Sequence, residues 1–376
     1  MTDRTAQILS QLPRKKNVTP VNEEADARLA AGDATFVGDL GVALMKEHAA
    51  DSGVWQYRGV FDHLLQLLAT TPGDGHIEQA LRLVTAAASV VPKRHTRYAA
   101  SLLASCKEPE ELVRVFAGGQ VGAPEELRAC LVQELVLRGV AIEELPEVAR
   151  WVRSPHGSHH PLRRLPLSLS VLEHGPPLPG YSINGSSASL PYGDRGTPVR
   201  PHGRTTVPAV TETTSEPTAS AIGAAAANWA AESNGRIEAR TFESAEAVDA
   251  AAVPGLLRAV DLECLRGAGA GKGVAVSSWG PGRAWEVLFA AASSGGAYNH
   301  GEFGAYGRLA AWRSVAGLVG VAEDAPFDVV ERRAQDVQWY GFGTDTPWFE
   351  NVAWDIALVA VDAGRRVAVL AATDTD

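Results

Sequence analysis

Apolar residues recur at three- and four-residue intervals from residue 23 to about residue 152, the spacing that places them on one face of an α-helix. Pro and Gly at residues 72–75 and Pro at residue 92 interrupt the repeat and predict helix ends. Short helices joined by short turns predict an irregular helical bundle. A HEAT-like stack of helix pairs is the second choice, because the breaks are only loosely periodic.

The composition changes between residues 156 and 217, where Pro, Gly, Ser and Thr become frequent. One further helix, over residues 163–173, is predicted to complete the helical part. The residues after it have the composition of a long connection. A chain of 376 residues is also long for one core. We therefore predict a helical domain at 1–174, a Pro/Gly/Ser/Thr-rich connection at 175–217 and an α+β domain at 218–376.

The C-terminal part mixes the periods of strands and helices. Apolar runs predict strands at residues 236–242, 273–277, 337–342, 356–361 and 366–371. Wider spacing predicts helices at residues 220–233, 254–265, 283–292 and 304–318. Asp362-Ala363-Gly364-Arg365 has the composition of a hairpin turn, so the last two strands are expected to pair. These elements predict a mostly antiparallel sheet with helices packed on it, on one face.

Composition and charge exclude several classes of protein. A hydrophobic fraction of 45% and a charged fraction of 21% are those of a globular chain. The net charge of −10 argues against a general affinity for nucleic acid or an anionic membrane, because both need clustered Lys and Arg. No run approaches the ~20 apolar residues of a membrane-spanning helix.

The three cysteines, Cys106, Cys130 and Cys264, show no CxxC spacing. Buried reduced thiols in a cytosolic protein explain them. Residues 1–17 lack the apolar stretch of a signal peptide. We therefore expect a cytoplasmic protein.

The glycine-rich residues 266–273 are similar to a phosphate-binding loop but lack several of its diagnostic features. Arg266 stands where the first Gly is needed, and Gly273 follows the Lys where a Ser or Thr is needed. A predicted strand comes next, where the motif needs a helix. We interpret the segment as a helix-to-strand connection and expect no cofactor.

Three histidines lie close together at positions 156, 159 and 160, and histidine is a common zinc ligand. No Cys or carboxylate flanks His156, His159 and His160 within reach in sequence, and Pro and Gly interrupt the segment. We therefore predict no metal site there.

The most informative stretch is residues 295–312, which precede and enter a predicted helix. It contains five glycines with two tyrosines, a His, a Glu and an Arg. Glycine allows close approach of the backbone, and the unpaired N–H groups of a helix start suit an anion or a polar ligand. We predict the rim of a pocket, with Tyr298, Tyr306 and Arg308 as binding residues. The alternative is that the glycines serve tight helix packing and the tyrosines lie in the core.

A second aromatic group lies at residues 339–355, and six of the nine Trp lie after residue 270. Such density indicates either a large aromatic core or a recognition surface, because Trp and Tyr carry much of the energy of interfaces. Apolar neighbours place Trp354 in the core. Trp348 follows Thr-Asp-Thr-Pro and is expected to be exposed and to bind a partner.

These sequences resemble those of an uncharacterised family of actinobacterial proteins. The resemblance is carried by the Gly-Gly-Ala-Tyr and Gly-Ala-Tyr-Gly-Arg-Leu-Ala-Ala-Trp sequences, by Trp348-Phe349, by residues 352–355 and by residues 371–376. It extends over most of the chain, more clearly in the C-terminal half. It implies a bacterial cytoplasmic protein but does not indicate any activity. No functional residue is carried over from it.

Two hypotheses of different class are consistent with these features. The first is a non-catalytic intracellular binding protein, of immunity or adaptor type, that recognises a protein partner through the C-terminal aromatic and Gly-rich surface. The second is an enzyme with a C-terminal active site, in which His300 and Glu302 are the acid and base and Arg308 binds a small anionic substrate. Asp355 is a further catalytic candidate. Convergence of these four residues in one pocket favours the enzyme, and an exposed apolar patch favours the binding protein.

Overall fold

The computed structural model describes residues 3–117, 122–188, 190–191, 196–200, 206–267, 273–349, 354–363 and 365–374. The chain divides into two compact units. The first consists of Met1–Arg163 and Pro179–Ala188, and the second of Arg164–Leu178 and Ser189–Asp376. The predicted connection at 175–217 is thus shared between the units, and the last residues of the predicted helical domain belong to the second unit.

Helices form almost all of the regular structure described in the first unit. They are α1 (Asp3–Gln11), α2 (Thr19–Ala30), α3 (Ala34–Ala50), α4 (Trp55–Thr70), α5 (His76–Ala87), α6 (Lys93–Cys106), α7 (Pro109–Leu112), α8 (Glu125–Leu137), α9 (Pro146–Val152) and α10 (Pro155–His159). The apolar repeat predicts the strongest of them, since Phe61, Leu64 and Leu68 of α4 are fully buried. Helix α4 packs against α3, α5 and α6, and α6 packs against α8.

A small antiparallel hairpin completes the first unit. Its strands, β1 (Gly180–Ser182) and β2 (Gly185–Ser187), lie within the predicted connection. The Tyr181 hydroxyl donates a hydrogen bond to Ser101 Oγ of α6 at 3.1 Å, and Gln66 of α4 donates to the carbonyl of Ser182. These contacts fold the start of the predicted connection onto the helices.

A polar cluster lies between α4 and α6. Arg58 Nε donates to both carboxylate oxygens of Asp62 at 2.9 Å, and Arg58 Nη2 lies 3.0 Å from His95 Nδ1. Because a guanidinium only donates, His95 Nδ1 accepts and Nε2 carries the ring proton. Burial, and then the charge of Arg58, lowers the pKa of His95 to about 3. His95 Nε2 is buried and has no hydrogen-bond partner in the part of the chain that the structure describes.

The second unit is built on a seven-stranded sheet. Its strands are β3 (Thr197–Pro198), β4 (Val210–Glu212), β5 (Arg236–Ser244), β6 (Ala275–Trp279), β7 (Gln338–Gly343), β8 (Asp355–Val361) and β9 (Arg366–Thr373). Their order is β3-β6-β7-β8-β9-β5-β4, and every neighbouring pair is antiparallel. Strands β8 and β9 pair with Val361 opposite Val367, as predicted, although Gly364 of the predicted turn lies outside the described residues.

Six helices accompany this sheet in the described residues. They are α11 (Glu216–Ile222), α12 (Ala227–Glu232), α13 (Val253–Ala259), α14 (Pro281–Ser294), α15 (Phe303–Val319) and α16 (Phe327–Asp336). The predicted fold class is confirmed: helices form the N-terminal part, and an antiparallel sheet with packed helices forms the C-terminal part.

Alternation along the strands divides the sheet's side chains between two layers. Val367 and Val369 of β9 join a core cluster that contains Leu256 and Leu257 of α13. The intervening Leu370 is equally buried and faces the opposite side, where α14 and α15 pack on the sheet. The expectation of helices on one face is therefore wrong, because the apolar face of α13 covers the second.

Helix α15 is tied to the sheet at its C-terminal end. Arg366 of β9 donates from Nη2 to the carbonyl of Gly317 at 2.8 Å and from Nη1 to that of Leu318. The last carbonyls of a helix have no partner within the helix, and they attract cations. Arg366 thus fixes α15 against β9.

The predicted helix over residues 163–173 is not formed. A short 3₁₀ turn ends at Arg164, and the residues after it are irregular. Pro166 cannot donate the hydrogen bond that a helix interior needs. The carbonyls of Pro166 and Ser168 and the carboxylate of Glu173 instead bind Arg308 of α15. These long-range contacts stabilise the irregular segment in place of a helix.

Within the described residues, no helix combines the length and the apolar character needed to cross a membrane.

We predict that His95 makes the stability of the protein depend on pH. Its pKa is about 3 in the folded chain, against an ordinary 6.5. Above pH 6.5 the ring is neutral in both states and its stabilising contribution is complete. As the pH falls from 6.5 towards 3, the unfolded chain takes up a proton that the folded chain does not, so stability is lost.

In His95→Asn the amide oxygen can still accept from Arg58, but the group no longer titrates. The variant should be less stable than the parent at pH 7. The difference between their free energies of unfolding should narrow by about 2 kcal/mol between pH 6.5 and 4.5. Urea unfolding at several pH values measures this. A difference in free energy of unfolding that stays constant over that interval would contradict the conclusion that the His95 ring is buried and neutral.

Candidate functional site

Residues 295–302, here called the α14–α15 loop, connect two helices that pack side by side. Gly295, with φ +82°, ends α14 in a conformation that other residues rarely adopt. The loop then returns towards α14, and Glu302 N donates to the carbonyl of Ala292 at 2.9 Å. It therefore leaves one helix and enters the next within a short, hydrogen-bonded turn.

The base of the loop rests on a buried carboxylate. Asp374, directly after β9, is fully buried. Its Oδ2 accepts from Asn299 Nδ2 at 3.0 Å and from the Tyr298 N–H at 3.4 Å, and its Oδ1 accepts from Ser233 Oγ at 2.6 Å. A Cβ at Gly296 would lie 1.9 Å from the same carboxylate, so only glycine allows this approach.

A second set of bonds closes the loop on itself through Asn299. The amide oxygen of Asn299 accepts from Gly296 N at 3.1 Å and from Asn228 Nδ2 at 3.0 Å. Asn228 Nδ2 also lies 3.2 Å from the carbonyl of His300. Both ends of the Asn299 amide are used, which fixes the loop between α12 and β9.

Two backbone outliers flank this arrangement. Phe303 has φ +58° and Trp354 has φ +57°, a region that L-residues rarely occupy. The carbonyl of Trp354 accepts from Asp374 N at 3.1 Å. Each such residue costs about 1–3 kcal/mol and is found most often at functional sites. Two of the three non-glycine residues with positive φ in the described part of the chain thus lie near the base of the loop, and the third, Arg365, lies between β8 and β9.

The outer side of the α14–α15 loop presents Tyr298 and His300. Tyr298 is 59% exposed, and His300 is also exposed. Glu302 and Tyr306 are partly buried. The loop thus carries an exposed aromatic ring and an exposed imidazole on a base held by buried hydrogen bonds.

Arg308 points into the interior of the second unit. Its side chain is fully buried, and so is that of Glu173. Nε and Nη2 of Arg308 donate to the two carboxylate oxygens at 2.7 and 2.6 Å, and further bonds reach the carbonyls of Pro166 and Ser168. Trp312 Nε1 donates to Glu173 Oε1 at 2.7 Å. The guanidinium is therefore engaged in holding residues 166–173 against α15.

Asp355 lies at the same end of the sheet as the α14–α15 loop. It begins β8 opposite Thr373, and its Oδ1 accepts from the Thr373 hydroxyl at 2.6 Å. Thr373 precedes Asp374, so the sheet brings Asp355 close to the base of the loop. Asp355 thus lies near the loop, whereas the guanidinium of Arg308 is buried against Glu173.

The expectation that Trp348 is exposed is wrong. Its side chain is 4% exposed and belongs to the core cluster beneath the sheet, together with Phe342 and Phe349. The guanidinium of Arg236 lies 4.4 Å above its ring. The Thr-Asp-Thr-Pro sequence before it turns the chain back onto the core, where Thr346 Oγ1 donates to the carbonyl of Cys264.

The residues that hold the loop were not identified from the sequence. Asn228, Ser233 and Asp374 lie more than sixty positions from Asn299 along the chain, and each is a common residue in an ordinary context. Only the glycines of the loop indicate that another group approaches its backbone closely. The sequence did not indicate which group approaches them.

The described residues contain no group of three or more His, Cys, Asp or Glu side chains placed to hold a metal ion. Of the three neighbouring histidines at 156, 159 and 160, His160 lies with Nε2 3.3 Å from Glu126. Residues 268–272 of the glycine-rich segment lie outside the described residues.

We predict that Arg308 contributes strongly to the stability of the fold and that His300 contributes little. Arg308→Ala leaves Glu173 buried without its cation, which should cost about 3–5 kcal/mol. His300→Ala removes an exposed side chain and should change stability by less than about 0.5 kcal/mol. Arg313→Ala is the matched control, because Arg313 lies on the same helix in an exposed pair with Glu323, worth about 0–1 kcal/mol. Equal losses in the two arginine variants, measured by urea unfolding, would contradict the buried pair.

A sequence model of a family described as "Family of unknown function (DUF6183)" matches residues 19–376. No curated protein and no solved structure matches the chain. The predicted resemblance to an uncharacterised family is confirmed, and it covers almost the whole chain. The chain therefore belongs to this family of unknown function, DUF6183.

Proposed function

We propose that the chain is a non-catalytic binding protein that recognises a protein partner through the α14–α15 loop. The observation that carries the proposal is the exposed ring of Tyr298 on a loop whose base is held by Asp374 and Asn299. Tyr gives a large contact area at a small cost in side-chain entropy, and it is enriched among the residues that dominate interfaces.

Rigidity of the loop supports this role. Binding through a mobile segment loses free energy in ordering it, about 0.5–1.5 kcal/mol for each side chain that becomes fixed. The hydrogen bonds of Asn299 and the close approach of Gly296 order the loop in advance. A partner would meet Tyr298 and His300 already in place.

Exposure of these side chains favours a protein partner over a small molecule. Small-molecule sites enclose most of the ligand surface. Tyr298 and His300 are exposed, so they offer a surface rather than an enclosure. Arg308, the residue considered for a small anionic ligand, has its guanidinium engaged with Glu173.

The enzyme hypothesis has less support from the geometry. It needs His300 and Glu302 beside a substrate held by Arg308. His300 is exposed to water, whereas Arg308 is fully buried in an ion pair. Asp355, the fourth candidate, engages the Thr373 hydroxyl. We therefore propose binding and no reaction.

We also propose that the protein acts in the cytoplasm of a bacterial cell. Cys106, Cys130 and Cys264 are all free thiols, and Cys130 and Cys264 are buried. Reduced cysteines are typical of a reducing compartment.

Site-specific photo-cross-linking in cells that naturally produce the protein tests the proposal. Benzoylphenylalanine replaces Tyr298 in one variant and Trp55, which is 54% exposed in the first unit, in the control. We expect a discrete protein adduct from position 298 that position 55 does not give.

With the captured protein purified, Tyr298→Ala and His300→Ala should each raise its Kd at least about tenfold, or ~1.4 kcal/mol, because the partner loses contact area. Trp55→Ala should leave the Kd unchanged. Identical adducts from both positions, or a Kd that does not respond to Tyr298→Ala, would rule out this surface.

A further inference from the structure

Asp374 connects three separate parts of the second unit. Its Oδ1 accepts from Ser233, which follows α12, and its Oδ2 accepts from Asn299 and from the Tyr298 N–H in the α14–α15 loop. Its own N–H donates to the carbonyl of Trp354 at the start of β8. One residue thus links the exposed loop to the sheet.

This carboxylate depends on the loop as much as the loop depends on it. Asp374 is fully buried, and the side-chain and backbone groups that donate to it within the described residues are neutral. A buried carboxylate that loses a donor keeps the desolvation cost without the compensating bond. Movement of the loop would withdraw two of the donors from this carboxylate. The position in which the loop contacts Asp374 is therefore strongly favoured.

We infer that Asp374 is the positioning residue of the recognition surface: its buried carboxylate holds the α14–α15 loop in the conformation that presents Tyr298. This inference rests on the proposed function. Because Asp374 has no exposed surface, it touches no partner and acts only through Tyr298 and Asn299. Gly296 is required at the contact, since a Cβ there would overlap the carboxylate.

The pairing of Asp374 with Asn299 allows a reversal test. Asn299→Asp sets one carboxylate against another and removes the donor. The double variant Asn299→Asp/Asp374→Asn restores a hydrogen bond of opposite direction, because the new amide at 374 donates to the new carboxylate at 299. The carboxylate at 299 can still accept from Gly296 N and Asn228, as the amide oxygen of the parent does.

Amide hydrogen exchange in the full-length protein gives a readout independent of any partner. In Asn299→Asp the Gly296 and Tyr298 amides should exchange at least about tenfold faster than in the parent, because the loop opens more often. Amides in the centre of β9 should keep their parental rates. The double variant should return the Gly296 amide to within about threefold of the parent. The Tyr298 amide should stay faster, because the new amide nitrogen at 374 cannot accept from the Tyr298 N–H as the carboxylate does in the parent.

Thr373→Val is the matched control. It removes the neighbouring hydrogen bond to Asp355 and leaves the loop contacts in place, so the loop amides should stay protected. Should Asn299→Asp fail to fold, Asn299→Ala, which removes the donor without adding charge, is measured in its place. Unchanged loop protection in the single variant, or a double variant as fast as the single one, overturns the inference.

The photo-cross-link from position 298 separates the two proposals. Loss of the adduct in Asn299→Asp and its return in the double variant supports positioning of the surface by Asp374. An undiminished adduct from an unprotected loop overturns it. A parent that gives no adduct overturns the proposed function, while the exchange rates still decide whether Asp374 holds the loop.

Discussion

Arg308 carries a charged guanidinium into the interior of the second unit, where an ion loses its hydration and needs close compensation. Glu173 supplies the opposite charge at 2.6 Å, and the carbonyls of Pro166 and Ser168 take further N–H groups. The same carboxylate accepts from Trp312 one turn further along α15. Both charges are satisfied only when α15 and residues 166–173 lie together, so this pair fixes the helix on which the α14–α15 loop depends.

That constraint determines where the candidate surface lies. Helix α15 is held in its middle by Glu173 and at its C-terminal end by Arg366 of β9. Its N-terminal end continues from the α14–α15 loop, whose base meets Asp374 just after the same strand. The helix and the loop are therefore anchored to β9 at both ends. A rigid scaffold of this kind lets a short loop expose Tyr298 without losing order.

The sequence predicted those features that depend on local pattern. The paired strands β8 and β9 were predicted because both are continuous apolar runs beside a turn composition, and burial of their side chains maintains the register. The helix at 163–173 and the exposure of Trp348 were predicted wrongly, because long-range partners, Arg308 in one case and the core beneath the sheet in the other, override local preference. Asp374 was not predicted as a site residue, because no periodicity connects it to Asn299, 75 positions away.

The polar content of residues 295–312 has two separate explanations. Three charged or titratable side chains within nine positions suggested one pocket, yet Arg308 turns inward to Glu173 while His300 remains on the surface. A helix start divides them: the loop before it has one side against Asp374 and one towards solvent, and the helix after it has its own buried face. Stability therefore lies mainly with the residues of α15, and any recognition with the residues of the loop. Tyr298 and His300, both exposed, can therefore be substituted with little effect on the fold.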